Sequence, residues 1–470
     1  MCRLWRHTFL QHAPLWSQLY LARKTDQDLL ATLLERVKRS PLYITLEYSE
    51  IPVPGVALLS PFSQQIKDLI LSDASQEDIQ ELSAALSGPL PLLRTLNIED
   101  NGHDEDYTSP LTPTSLLFEG AVDVKEFVLH VYDASSLSHF LFPNLTTFVF
   151  WTCRELEVFP LSLLLNFLEA SPSLQDIEML IAGDVSYRDV PRDKVLVLPR
   201  VKDFLLNFTG YGSSWELATY LSCPSADHVG FGCNLLWANH DHNFPEDIYP
   251  PWNAIVRHYT KEIVDQVELQ LQVDGELAGS IAFRSPGEAC LALRYSHPIR
   301  ESGARERIGS DIFSRASRTI RDHPRLKNVR HLFIRGGNLL SGNLELAAND
   351  VGKLLGSMGP LEDLDIRDCD LRPYLDPFLE TPLFPNAIQP TSFPPIRALT
   401  IDNPVQSLSD DEGYATAVVK LAKSQHARGM PFELVILPPQ VPSWVIEELL
   451  LSADAAECSE MSPDEDQDQD

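Results

Sequence analysis

A six-residue pattern, apolar-x-x-apolar-x-apolar, returns along most of this chain and limits what it can fold into. It reads Ile66/Leu69/Leu71, Leu93/Leu96/Ile98, Val124/Phe127/Leu129, Leu145/Phe148/Phe150, Leu174/Ile177/Met179 and Val201/Phe204/Leu206. It resumes at Val329/Leu332/Ile334, Leu361/Leu364/Ile366 and Ile396/Leu399/Ile401, with weaker copies at Val229/Phe231 and Leu434/Ile436. The last two positions of each copy alternate, as residues on one face of a strand do. Successive starts in the first block are 27, 31, 21, 29 and 27 residues apart, near a leucine-rich-repeat period of about 20 to 29. The later spacings of 32 and 35 suit longer helical returns.

Helices are expected between the strands at Leu161–Ala170, Trp215–Leu221, Leu344–Met358, Glu412–His426 and Val445–Leu451. Each strand-plus-helix unit leaves an apolar face that a neighbouring unit must cover, so the expected fold is α/β, an irregular leucine-rich-repeat solenoid or horseshoe. An ordinary α/β domain with similar strands is the alternative. Residues Val264–Tyr295 break the rhythm. Val267/Leu269/Leu271/Val273 and Ile281/Phe283 alternate with polar partners, and Asp274-Gly275 and Pro286-Gly287 supply turns, which predicts an inserted antiparallel meander. The expected organisation is therefore a helical segment at 1–24, a first solenoid half at 25–260, the meander at 261–300, a second half at 301–452 and a disordered acidic tail at 453–470.

The chain has 470 residues, 44% of them hydrophobic, ample for a sizeable core. A formal charge of −30 argues against nucleic acid or an anionic membrane as partner, because phosphate binding needs clustered Lys and Arg. The longest apolar run, Phe159–Leu168, is interrupted by Pro160, Ser162 and Asn166, so no membrane span is expected. Seven cysteines, scattered and without a C-x-x-C pair, suit reduced thiols in the cytoplasm or nucleus.

At the N-terminus, Cys2-Arg3-Leu4-Trp5-Arg6 and Pro14-Leu15-Trp16 flank a stretch in which Leu4, Trp5, Phe9 and Ala13 recur at helical spacing. Pro14 is expected to end that helix, with Trp16 folding back on it. This segment resembles the closing third of an F-box, in which a Val-Cys-Arg/Lys-x-Trp-Arg helix precedes Pro-x-Leu-Trp; Met1 stands where the family has Val. Together with the repeats it resembles the fungal F-box/leucine-rich-repeat proteins. The resemblance implies a substrate-recognition subunit of a cullin-RING ubiquitin ligase, with Leu4, Trp5, Phe9 and Trp16 docking the adaptor. Without the earlier Leu-Pro-containing helices, adaptor binding is expected to be weak. A leucine-rich-repeat interaction module with no ubiquitin role is the alternative.

Alternate strand positions are expected on the concave face of such a solenoid. In the first half they are Ile70, Val128, Val149, Trp151 and Leu205, an apolar stripe that either binds a protein or is covered by other chain. In the second half they are His331, Arg335 and Arg367 beside Asp363, Asp365 and Asp402, a mixed polar surface. Residues 294–335 are rich in Arg, either a solvated helix face or a seat for an acidic or phosphorylated peptide.

Cys223, His228, Cys233, His240 and His242 offer thiol and imidazole ligands, but their spacing fits no zinc motif, and no metal or other cofactor is expected. No Gly-x-Ser-x-Gly elbow, Walker loop, Gly-x-Gly-x-x-Gly or His-Glu-x-x-His occurs, so no enzyme is expected, and a metal-dependent hydrolase would have to rest on that Cys/His group.

Overall fold

The computed structural model describes residues 10, 12–22, 26–48, 56–99, 117–131, 134–152, 156–209, 213–234, 266–273, 276–284, 290–298, 329–336, 352–367, 395–402, 412–438 and 441–458. The chain divides into two compact units, residues 1–226 with 237–250, and residues 227–236 with 251–470.

The first unit is built on a parallel sheet. Its strands are β1 (Gln18–Leu21), β2 (Leu42–Glu47), β3 (Ile66–Ser72), β4 (Thr95–Glu99), β5 (Glu126–Val131), β6 (Thr147–Thr152), β7 (Leu156–Pro160), β8 (Asp176–Ser186) and β10 (Asp203–Thr209). Neighbours pair in chain order from β1 to β6, then β6 with β8 and β8 with β10, while β7 adds to the far end of β8. Two short strands, β9 (Leu196–Val197) and β11 (Leu221–Ser222), pair separately.

The six-residue pattern sets which side of this sheet is dry. Leu69, Leu71, Leu96, Ile98, Phe127, Leu129, Phe148, Phe150, Met179 and Leu206 are all 0% exposed. Phe127 is the centre of an aromatic cluster, its ring centroid 4.8 Å from that of Phe140, 5.0 Å from Phe142 and 6.0 Å from both Phe148 and Phe167. Burial of side chains this large is the main favourable term in holding strand to return segment.

Helix ends follow local chemistry. Helix α1 (Gln27–Val37) starts where Asp26 accepts the backbone N–H of Asp28 at 2.8 Å, and it buries Leu30, Leu34 and Val37 at helical spacing. Helix α2 (Gln76–Ala85) opens with a capping box: Ser75 Oγ accepts the Asp78 N–H and the Asp78 carboxylate accepts the Ser75 N–H. Helix α3 (Leu161–Glu169) follows Pro160 and buries Leu161, Leu164, Leu165, Phe167 and Leu168. At Gly120 a side chain is excluded by backbone, since a Cβ would run into the carbonyl oxygen of Gly88 and lie 3.0 Å from Pro89 Cα.

In the second unit, β12 (His228–Asn234) is followed by β13 (Gln266–Val273), β14 (Glu276–Arg284) and β15 (Cys290–Pro298), with β14 antiparallel to both β13 and β15. Parallel strands β16 (His331–Gly336), β17 (Leu361–Arg367), β18 (Ile396–Asp402), β19 (Leu434–Leu437) and β20 (Ala456–Cys458) then pair in chain order. Helices α4 (Glu412–Ala427) and α5 (Ser443–Leu450) lie among them, with Val418, Leu421, Ala422, Val445 and Leu449 buried.

The leucine-rich-repeat solenoid with an inserted meander is not what forms. The architecture is mixed α/β, with a nine-stranded parallel sheet and a five-stranded one. The strands recur but the segments between them do not: α1 joins β1 to β2, a 3-10 helix at Val56–Gln65 precedes β3, another at Ala134–His139 separates β5 from β6, and β7 with α3 separates β6 from β8. A repeat fold needs one return unit copied, whereas any parallel strand with one face covered yields the same apolar spacing.

Strands β13 to β15 are also not an excursion from the sheet. β15 pairs in parallel with β12 and β13 with β16, so the three carry the ladder between those strands. The helix predicted at Trp215–Leu221 is a 3-10 helix at Ser213–Tyr220. At Leu434/Ile436 the register is shifted by one: Phe432, Val435 and Leu437 are each 0% exposed. Both alternations through Phe432–Leu437 are apolar, and the copy that begins with Phe432 buries the larger ring.

Candidate functional site: the open face of the first sheet

Residues that alternate with the buried ones point to the other side of the first unit's sheet, and parallel pairing aligns them into rows. Ile70, Asn97, Val128, Val149, Glu178 and Leu205 form one row, each the register partner of the next. The row towards the strand ends holds Glu99, His130, Trp151 and Leu180. All ten side chains are half-buried. The structure thus brings Ile70, Val128, Val149, Trp151 and Leu205 onto one surface.

His130 lies flat on Trp151, with ring centroids 4.3 Å apart and planes at 2°. Neighbouring strands in parallel register put their side chains about 4.8 Å apart, so two flat rings at matched positions stack without distortion. Burial lowers the pKa of His130, and the charges of Glu99 and Glu178 oppose that shift. The indole Nε1 of Trp151 is buried and has no hydrogen-bond partner among the described residues. Glu99 Oε1 accepts Asn97 Nδ2 at 2.8 Å, which orients the carboxylate beside the ring pair.

Towards the strand starts the face becomes more acidic. Asp68, Glu126, Asp176 and Asp203 occupy one row with Thr95 and Thr147. Asp176 has a raised pKa, first from burial and then from the like charge of Asp203, while the hydrogen bond from Thr147 Oγ1 (3.3 Å) opposes the shift. Cations sit one position earlier, with Arg94 paired to Asp123 at 3.2 Å and Lys125 bonded to the Asn144 carbonyl at 3.1 Å.

In the second unit, His331 Nδ1 lies 2.5 Å from Asp363 Oδ2 on the adjacent strand, and Arg330 pairs with Glu362 at 3.2 Å. Arg367 grips Asp365 with two nitrogens, Nε to Oδ1 and Nη2 to Oδ2, both at 2.9 Å, and the Asp365 side chain is 8% exposed. These polar residues satisfy one another. Arg335 is the register partner of Arg367, but its side chain lies outside the described residues.

Leu4, Trp5 and Phe9 also lie outside the described residues. Trp16 ends a 3-10 helix, Ala13–Trp16, in which Pro14 occupies the first turn. The Arg36 guanidinium of α1 lies 5.0 Å from its ring centroid. Trp16 also stands where the six-residue pattern places its first apolar residue, ahead of Leu19 and Leu21 of β1, which are 5% and 2% exposed.

Cys223 is buried, and burial pushes its thiol up to about 12, which disfavours the thiolate that zinc needs. His228 is exposed at the start of β12, and Cys223 and His228 belong to different units. Cys233 lies in β12 with its side chain outside the described residues, as are His240 and His242 altogether. Among the described residues, no group of three or more His, Cys, Asp or Glu is placed to hold a metal. Of the basic stretch 294–335, residues 299–328 lie outside the described residues. Among the described residues, no helix is long and apolar enough to cross a membrane.

The sequence reading missed His130, Glu99 and Glu178 as parts of this face. The alternation that selects Val128 and Trp151 also selects them; what spacing along the chain does not carry is the order of the strands, which sets them beside one another. The sequence matches no protein-family model and no curated protein.

Proposed function

We propose that the chain is a non-catalytic protein-binding subunit whose target docks on the open face of the first unit's sheet. The observation that carries this reading is the half-buried group Ile70, Val128, Val149, Leu205 and Trp151, aligned on the side of the sheet opposite the core. Apolar and aromatic residues gathered on one surface favour a macromolecular partner, and Trp is over-represented among the residues that dominate binding energy.

A photo-crosslinking residue placed at Val149 should capture a protein partner in cells, and the capture should be lost in a Trp151→Ala background. The same residue placed at Val197, exposed on β9 away from this face, should not capture that protein. Equal capture from both positions would overturn the reading.

Within the same proposal, the resemblance of Cys2–Arg6 and Pro14–Trp16 to an F-box supports a substrate-recognition role in a cullin-RING ligase of the cytoplasm or nucleus. Leu4, Trp5, Phe9 and Trp16 would meet the adaptor. Titration of purified adaptor should give weak binding to this chain and firm binding once two F-box helices are fused ahead of Met1, with Trp5→Ala weakening both. If the fused form does not bind, a plain protein-interaction role replaces the ligase role.

A further inference from the structure

The geometry points to an extended segment of the pattern basic-x-aliphatic-x-basic as the partner's contact with the open face. This deepens the protein-binding reading and rests on it.

Glu99 on β4 and Glu178 on β8 stand on opposite sides of the His130–Trp151 stack and of Val128 and Val149. Three strand spacings across the ladder and a two-residue offset along it separate their positions, about 16 Å. In an extended peptide, residues i, i+2 and i+4 point the same way, and i to i+4 spans about 13 Å. The length of Lys or Arg side chains makes up the difference. A chain laid across the strands can therefore set a basic side chain on each carboxylate and an aliphatic one on the apolar strip between them.

Charge selects this occupant over an acidic one. Within the two central rows, from Ile70 to Leu205 and from Glu99 to Leu180, the charged groups are Glu99 and Glu178, with His130 the remaining titratable side chain. The neighbouring row adds Asp68, Glu126, Asp176 and Asp203, and the whole chain carries a formal charge of −30. Since burial lowers the pKa of His130, its ring is largely neutral at pH 7 and does not oppose an incoming cation. The same ring pair gives a cation a π-face to approach. A nucleic acid or an acidic peptide would meet like charge here.

The test uses the full chain and an array of random nine-residue peptides, read in parallel with Val149→Arg and with the double variant Glu99→Gln/Glu178→Gln. Circular dichroism and urea midpoints establish that each variant is folded. Wild type should select peptides with Lys or Arg four residues apart and Leu, Ile or Val midway. The affinity of a selected peptide should fall about tenfold in the double variant and weaken with added salt. Val149→Arg should abolish its binding.

Peptides that depend on Val149 but lack the basic pair would overturn the proposed pattern while leaving the protein-binding reading in place. Basic peptides that bind equally to wild type and Val149→Arg would show attraction without a site, and would overturn the inference. Failure to select any peptide would do the same. If photo-crosslinking at Val149 also captures nothing, the protein-binding reading falls with it.

Discussion

The backbone N–H of Ala182 donates to Thr152 Oγ1 at 2.6 Å, so a side chain at the end of β6 carries the hydrogen-bond ladder one step further along the longer β8. Thr152 is 2% exposed and Ala182 7%, which leaves no ready water to replace the bond. Thr152→Val keeps the shape and removes the acceptor. It should lower stability by about 1 to 3 kcal/mol, the cost of a buried donor left unpaired, whereas Thr152→Ser should lose less. Urea midpoints check this, and a Val variant as stable as wild type would remove the hydroxyl from the ladder.

Each unit has its own core. Phe127, 0% exposed and in contact with four other phenylalanine rings, should cost about 3 to 5 kcal/mol on replacement by Ala. Leu332, 0% exposed on β16, should cost about 2 to 5 kcal/mol. Hydrogen exchange read by mass spectrometry should show the loss in the first unit for Phe127→Ala and in the second for Leu332→Ala. Unchanged protection around either residue would mean that the strand register there is wrong.

The stability of the first unit should fall with mild acid. Burial keeps the folded pKa of His130 below the unfolded value of about 6.5, so the unfolded chain takes up the proton first. Its stabilising contribution is complete above that value and is lost as pH falls through it towards the lower, folded pKa. Glu99 and Glu178 limit the loss, because they favour the protonated ring. His130→Asn should therefore flatten the change in urea midpoint between about pH 7.5 and 5.5. An unaltered slope would place the titration elsewhere.

The two described free cysteines should differ in reactivity. Cys223 is buried with its thiol held at about 12, while Cys458 is exposed on β20. At pH 8, iodoacetamide should label the Cys458 peptide within minutes and leave the Cys223 peptide unlabelled until denaturant is added. Rapid native labelling of Cys223 would show that its surroundings open readily.

Much of the candidate site was legible in advance because strand geometry converts spacing into sides. The positions between Leu69 and Leu71, between Phe127 and Leu129, and on either side of Phe150 identified Ile70, Val128, Val149 and Trp151 without any structure. Charge neighbours across strands were not legible. Glu99 and Glu178 are 79 positions apart in the chain, and only the order β4, β5, β6, β8 places them on either side of one ring pair. β1 and β2 went unrecognised for local reasons. Trp16, the first residue of the β1 pattern, also falls in the F-box-like segment, and β2 is one residue short of the pattern, so that Leu42, Ile44 and Leu46 are buried and Leu42 lies opposite Ile66.

Which residues are dry and which side of each strand they occupy was determined by the sequence alone, since a period of two leaves one way to bury Phe127 with Leu129, or Leu332 with Ile334. Where both alternations are apolar, as in Phe432–Leu437, the sequence leaves two registers nearly equal, and packing around Phe432 decides between them. Architecture belonged to the tertiary structure. Similar strands tolerate unlike return segments, and the hydrogen bonds that make β13 to β15 part of the ladder join residues far apart in the chain, whose pairing no local spacing encodes.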